Sequence, residues 1–192
     1  MADDLELDPE EILELEFEYA RETAAQAQGD RTTIVNLYLL LVGGVSSAAV
    51  ALPQLASRGF DVPRGAYSLL FALLGLIGFF TVMKLIRLRQ AWYDSALAMS
   101  QIKDFYLAKF PDLKPAFRWT TETIPAPGKP WTITFNLALL VALVDSVALA
   151  VAVDFTDLRV SGHDYVAPLL AAAIFFLWQV WFYFIQLPWS NQ

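Results

Sequence analysis

The sequence predicts an all-α, polytopic membrane protein with four transmembrane helices, the first two of which extend into the cytoplasm as an antiparallel two-helix stalk. Hydrophobic residues make up 57% of the 192 positions, and the mean hydropathy is +0.47. This apolar mass lies in four blocks of roughly 20 residues, and a helix of that length crosses a hydrocarbon core of about 30 Å. Charged segments with helical periodicity adjoin the first two blocks, which predicts that both helices continue beyond the bilayer.

The segment 66–110 provides the strongest evidence for this fold. Its beginning, residues 66–83, carries no charge and therefore predicts a membrane span. Its second half repeats apolar or small residues every three or four positions, as a packed helix does. These seam residues are Leu85, Leu88, Trp92, Ser95, Met99, Ile102 and Tyr106. Because no glycine or proline lies between Phe79 and Phe110, we expect one continuous helix that Pro111 ends.

The N-terminal region is strongly acidic and helix-forming. Eleven of the twenty Asp and Glu residues precede position 31, against one basic residue, Arg21. Asp8 before Pro9 predicts a capped helix start, and Gly29 is expected to break or kink this helix before the membrane. The acidic surface is either a solvated helix face or a docking surface for a basic partner. An apolar stripe is predicted at Leu13, Phe17, Ala20, Ala24 and Ala27, widened by Ile12, Leu15 and Tyr19.

Five segments make up the predicted organisation. They are an acidic cytoplasmic helix (1–32), a first transmembrane hairpin (33–86), a cytoplasmic helix continuous with span two (87–110), a Pro-rich linker (111–130) and a second transmembrane hairpin (131–192). The loop 53–65 is short, so spans one and two are expected to be antiparallel neighbours. The two water-side helices have matching lengths, and we expect their apolar stripes to pack on each other. Alternatively, each stripe faces a neighbouring subunit.

Basic residues predict the orientation of the chain. Ten of the thirteen Lys and Arg residues lie on the stalk side of the predicted spans. Cytoplasmic loops carry this excess of positive charge, so we expect an inner-membrane protein with both termini cytoplasmic. Lys84, Arg87 and Arg89 are expected to contact the anionic leaflet of the lipid bilayer.

Asp145 is the most informative polar residue because it lies near the middle of the third span. An ionised group there costs roughly 2.5–3.5 kcal/mol on insertion scales, so such residues usually face a bundle interior or a water path. One interpretation is a protonated Asp hydrogen-bonded to another span, with Gln179, Ser46 and Ser47 as the available partners. The other is an acidic ring around an oligomeric pore, or a proton or cation site.

Small residues predict where helices approach one another closely. Gly43 with Ser47, and Gly44 with Ala48, are spaced four apart on span one. Ala142 and Ser146 form a comparable face beside Asp145 on span three. We therefore expect these positions to be helix-packing sites.

Several classes of function are disfavoured by the composition. The acidic net charge of −7 disfavours nucleic acid as a partner. The chain has no cysteine, and its one histidine, His163, lies in a predicted loop before Asp164 rather than in a span. It also lacks a Gly-rich phosphate loop and metal-ligand spacing. We therefore expect no cofactor, no metal site and no enzymatic activity.

Two segments resemble the SLATT-type membrane proteins of bacterial conflict systems. The first is EFEYARETAAQAQGDRTTIVNLYLLLVGG, a cytoplasmic helix leading into a hairpin of spans; the second is MKLIRLRQAWYDSALAMSQIKDFYLAKF, a long helix leaving that hairpin. The resemblance covers about residues 10–110 and is one of architecture. It implies a membrane-disrupting effector without catalytic residues. The second hairpin, 131–187, is an addition to that pattern.

Three functional hypotheses follow from these features. The leading one is an oligomeric effector or channel-like protein, a homo-oligomer whose stalk receives a signal or a cytoplasmic protein partner and whose spans permeabilise the inner membrane. The second is a non-catalytic structural or anchoring subunit of a larger membrane complex. The third is an ion or proton transporter that uses Asp145.

Overall fold

The computed structural model describes residues 8–56, 62–156 and 165–188, so His163, Asp164 and Trp189 lie outside the described residues. Within these ranges the chain is helical and contains no strand, which confirms the all-α prediction. All four α-helices are long and apolar enough to cross a membrane. The elements are α1 (Pro9–Ala56), α2 (Arg64–Lys109), a 3-10 helix (Pro111–Ala116), α3 (Ile133–Asp154) and α4 (Val166–Gln186).

Helix α1 is a single element of 48 residues that includes both positions at which we expected an interruption. The backbone N–H of Glu10 donates to Asp8 Oδ1 at 2.9 Å, the cap that the sequence predicts. Of the break or kink expected at Gly29, the break is wrong, because one glycine costs a helix only about 1 kcal/mol. The helix also includes Pro53, which we placed in a loop. Pro53 lies three residues before the end of α1, so only the last turn of the helix follows it.

Helix α2 is the central element of the fold. It packs extensively against both α1 and α3, whereas α1 touches α3 only slightly and α4 packs mainly on α3. Its seam residues, from Leu85 to Tyr106, are all buried or half-buried. The core between the four helices is mainly apolar, and its buried members include Val35, Leu74, Val82, Leu85 and Val141.

The charged ends of α1 and α2 share an apolar lining. We call residues 9–28 of α1 and 87–109 of α2 the extension. Ala20, Ala24 and Ala27 of the predicted stripe are buried. The prediction that Ile12, Leu15 and Tyr19 extend this stripe was wrong. They are 47%, 62% and 66% exposed, because they lie beside the buried face of the helix. That the extension is a cytoplasmic stalk stays a prediction.

The Pro-rich linker returns the chain from the tip of α2 to the start of α3. The backbone N–H of Thr121 donates to Asp104 on α2 at 3.1 Å, and Ile124 is buried. Near the start of α3, the N–H of Gly128 donates to the carbonyl of Pro188 at 3.1 Å. The carbonyls of Leu187 and Pro188 leave no room for a Cβ at Gly128, which explains the glycine there. The linker therefore joins the end of α4 to the beginning of α3.

Candidate functional site

Asp145 is completely enclosed by the four helices. Its side chain has no exposed surface, and its Oδ1 accepts a hydrogen bond from Gln179 Nε2 of α4 at 2.8 Å. The small residues beside it on α3, Ala142 and Ser146, are buried, and Ser146 Oγ donates to the Ala142 carbonyl at 2.6 Å. The structure thus brings Asp145 and Gln179 together. It does not bring Ser46 or Ser47 to them, because both serines lie on the exposed surface of α1.

Gly78 of α2 makes room for the carboxyl group. A Cβ built on Gly78 would overlap the Asp145 side chain, lying 2.6 Å from Oδ2 and 2.7 Å from the Tyr38 hydroxyl oxygen of α1. One turn away, a Cβ on Gly75 would lie 3.3 Å from the Asp145 carbonyl oxygen. Two glycines on one face therefore let α2 approach α3 closely at the level of Asp145.

Four buried polar atoms around this contact lack a hydrogen-bond partner among the described residues. They are Asp145 Oδ2, Gln179 Oε1, and the hydroxyl oxygens of Tyr38 and Tyr183. All four side chains are at most 2% exposed. We call these four residues the polar cluster. An unsatisfied buried polar atom costs about 1–3 kcal/mol. The polar cluster is therefore the best candidate in the described chain for a binding or functional site.

A small cavity is lined in part by two members of the polar cluster. Gln179 and Tyr183, one turn apart on α4, line a space of about 10 Å³ that is otherwise walled by apolar side chains. This volume corresponds to about one water molecule, which needs two or more polar partners in order to remain. The cavity surface is almost wholly apolar, so the unpartnered oxygens of Gln179 and Tyr183 contribute almost nothing to it. The apolar walls are Val82, Phe135, Ala138, Leu139, Ala142 and Val180.

A second polar layer lies where the linker meets the four helices. Arg31 Nη1 donates to the buried Thr134 Oγ1 of α3 at 3.0 Å. Arg89 Nε donates to the Pro127 carbonyl at 3.0 Å, and its guanidinium lies 4.5 Å above the centre of the Trp92 ring. Gln90 Nε2 donates to the Gln186 carbonyl at 3.1 Å. This anchoring layer ties both hairpins to the linker at one end of the bundle.

The three basic residues expected at the leaflet have different environments. Lys84 and Arg87 are exposed, as leaflet contact requires. Arg89 is only 7% exposed and binds linker carbonyls, so its guanidinium is directed to protein rather than to headgroups. We predicted lipid contact for Arg89 because it is a basic residue that follows a span. The sequence did not indicate that the linker would fold back onto Arg89.

The small residues of α1 face away from the bundle. Gly43, Gly44, Ser46 and Ser47 are exposed, and among the described residues no atom beyond the local α1 backbone lies within 4 Å of a Cβ built on either glycine. These residues were predicted to pack against another helix. Within the described chain they do not, and the glycines that do so are Gly75 and Gly78.

Sequence reasoning missed Tyr38, Gly78 and Tyr183. Two glycines in span two, three positions apart, were a signal of close helix contact beside Asp145. The tyrosines gave a weaker signal, because tyrosine is common at membrane interfaces and both occur in aliphatic or aromatic runs.

Comparisons with known proteins give no relative for this chain. No protein-family model matches it, and neither a curated protein nor a solved structure is significantly similar. The resemblance to SLATT-type proteins therefore stays a prediction, and the case for a function rests on the geometry described above.

Proposed function

We propose that this protein is an oligomeric membrane effector or channel-like protein that assembles through the outer face of α1. One observation carries the proposal: Gly43 and Ser47 lie on a surface of α1 that nothing in the described chain covers, at a depth where the helix is otherwise apolar. Small residues spaced four apart let two membrane helices approach closely, and such packing drives helix association in lipid. Because α1 is held mainly by α2, its opposite face is free to bind a second copy.

A partner site for a signal is provided by the tip of the extension. A groove of about 950 Å³ lies between the start of α1 and the end of α2, with apolar side chains that include Phe17, Ile102 and Tyr106. Asp8, Glu10, Glu11 and Glu14 also line it, against one basic residue, Lys103. An apolar floor with an acidic rim is complementary to a basic amphipathic helix, and we propose such a segment of a partner protein as the occupant.

The continuity of α1 supports a mechanical link between the groove and the bilayer. The helix runs without interruption from Pro9, beside the groove, past Gly43 and Ser47. Binding at the tip would therefore change the tilt or rotation of α1 as a whole. Such a movement would alter the contact between neighbouring copies and open a path between them.

Single cysteines test the assembly interface directly, because the chain has no cysteine of its own. Ser47→Cys is expected to form disulfide-linked dimers in native membranes under mild oxidation. Ser46→Cys is the matched control: it is also exposed at nearly the same depth, but it points about 100° away around the helix. Equal cross-linking of both variants, or of neither, would refute assembly through this face.

Two further measurements separate this proposal from an anchoring subunit. Purification in mild detergent should yield a homo-oligomer, whereas stoichiometric foreign subunits would indicate a structural role in a larger complex. Purified protein in liposomes should release a trapped dye when a basic amphipathic peptide is added. No release at saturating peptide would exclude permeabilisation by this route and leave the anchoring role.

An acidic ring of Asp145 around a central pore fits the geometry less well. The carboxyl group is buried inside one chain and bonded to Gln179 of that chain, so a ring would require the four helices to separate. The transporter hypothesis keeps a specific observation in its favour, the unpartnered oxygens of the polar cluster.

A further inference from the structure

We propose that a groove between α1 and α2 binds a phospholipid with a net negative headgroup. One acyl chain lies in the groove, and Lys84 binds the phosphate at the end of the groove. Assembly through the outer face of α1 is not required for this site. Gly43 is nine residues after Ile34 of the groove wall, or about half a turn around the helix, so a lipid and a second copy can bind α1 together.

The groove runs along both helices. It has a volume of about 300 Å³, and its lining residues recur every three or four positions on each helix, which places them on one face. Seven residues of a helix span about 10 Å, so the groove extends in the direction of the spans, as an acyl chain does. Its aliphatic and aromatic walls are Ile34, Leu37 and Leu41 of α1 with Ile77 and Phe80 of α2.

The surface of the groove is mainly apolar, although two of its lining residues carry hydroxyl groups. Thr81 Oγ1 donates to the Ile77 carbonyl at 2.9 Å, and the Tyr38 hydroxyl is buried beside Gly78. Water in the groove would lose hydrogen bonds, whereas an acyl chain loses none and gains van der Waals contacts with the walls. A hydrocarbon chain is therefore the occupant that fits this surface.

Lys84 lies where the groove ends and where the membrane boundary is expected. It is the first charged residue after the uncharged segment 66–83, and it follows Ile77 by seven positions and Phe80 by four, on the same face of α2. Its side chain is exposed and makes no ion pair with any residue that the structure describes. Arg87, one turn further, adds a second exposed cation.

The charges around this end of the groove favour an anionic headgroup. The contact of Tyr38 with Gly78 sets the register of the two helices. Lys84 lies about 9 Å beyond that contact along α2, whereas Asp30, the nearest acidic residue of α1 on this side, lies about 12 Å beyond it. Arg31 adjoins Asp30 and offsets its charge. The balance is positive, and basic pockets between spans bind anionic lipid headgroups.

Native mass spectrometry of the full chain, released from detergent micelles with added lipid, tests this site. The probes are phosphatidylglycerol and phosphatidylcholine with identical acyl chains, and the first phosphatidylglycerol per chain should bind more tightly. Lys84→Ala should weaken its binding about fivefold, the typical contribution of one basic residue near a membrane surface. Lys109→Ala is the matched control, since it removes the same charge about 40 Å further along α2 and should leave binding unchanged.

A second pair of variants tests the position of the acyl chain. Ile77→Trp fills the groove and should weaken binding of both lipids, whereas Leu76→Trp adds a similar volume about 100° around α2 and should weaken neither. Lys84→Arg keeps the cation and should bind like the wild type. Without added lipid the site is empty, so all variants should unfold at the wild-type temperature. If Ile77→Trp unfolds earlier, Leu37→Trp fills the same groove from α1.

Four results would overturn the inference. Equal affinity for the two lipids would indicate ordinary boundary lipid, and equal weakening by Lys84→Ala and Lys109→Ala would indicate an effect of net charge alone. Unchanged binding in Ile77→Trp and Leu37→Trp would place the acyl chain elsewhere. A lipid-free dimer that Ile77→Trp dissociates would show that a second copy, and not a lipid, covers the groove.

Discussion

Two pairs of glycines in this protein have opposite environments. Gly75 and Gly78 of α2 face α3 so closely that the Asp145 side chain occupies the space a Cβ would need at Gly78. In the part of the chain that the structure describes, no atom beyond the local α1 backbone lies within 4 Å of the position that a Cβ would take at Gly43 or Gly44. Both pairs lie in apolar helices of similar composition. Small residues in a membrane helix therefore indicate a close contact, but they do not indicate whether the partner belongs to the same chain.

Replacing the most enclosed glycine should have the largest effect. Gly78→Ala places a methyl group against the Asp145 side chain and the Tyr38 hydroxyl, and we expect it to lower the free energy of unfolding by about 3 kcal/mol. Gly43→Ala is the matched control and should leave stability unchanged or slightly higher, because alanine favours the helix. Unfolding in mixed micelles measures both. Equal stability of the two variants would remove the contrast between the glycine pairs.

The hydrogen bond between Gln179 and Asp145 should give the second-largest effect on stability. Gln179→Leu leaves the Asp145 carboxyl group without its partner and should cost about 2 kcal/mol of unfolding free energy. Replacing both residues by leucine should restore part of that loss, since two apolar groups need no hydrogen bond. A double variant less stable than the single one would argue that Asp145 has partners beyond those described.

A substitution in the anchoring layer should have a smaller effect on stability, localised to the linker. Arg89→Met loses hydrogen bonds to the Pro127 and Ala126 carbonyls, and we expect a cost of about 1.5 kcal/mol with faster tryptic cleavage in the linker. Lys84→Met removes an exposed cation of the same helix and should change neither quantity. If Lys84→Met accelerates cleavage equally, the linker is held by the general positive charge rather than by Arg89.

The smallest effect is expected at Gly75. A Cβ there would lie 3.3 Å from the Asp145 carbonyl oxygen, so the helices must separate by a few tenths of an ångström. The helix-forming gain of alanine offsets this strain, and we expect a net change within about 0.5 kcal/mol by the same unfolding measurement. A loss as large as that of Gly78→Ala would mean that the whole α2 face is equally constrained.

The fold class and the positions of the four helices could be predicted from the sequence. Long apolar runs, the spacing of the α2 seam and Pro111 were sufficient for this, because length and hydropathy constrain membrane helices strongly. The same reasoning expected a break or kink at Gly29 and a loop at Pro53, but the helix continues through both residues, since local propensity is a weak guide within a long helix.

The candidate site was predictable only in part. An Asp in an apolar run indicates an enclosed or water-facing group, and Gln179 was one of the available partners. The contribution of Tyr38, Gly78 and Tyr183 depends on which faces of three helices meet, and no local pattern in the sequence specifies that. Arg89 was assigned to lipid for the same reason, because its partner carbonyls lie 37 and 38 residues further along the chain.

The unbroken course of α1 has a geometric consequence. At 1.5 Å per residue, its 48 residues form a rod of about 70 Å, which is more than twice the thickness of the hydrocarbon layer. A swing of about 5° around its midpoint would displace each end by roughly 3 Å. A small displacement of α1 at its acidic tip would therefore move its opposite end, at the far leaflet, without any change in the conformation of the helix.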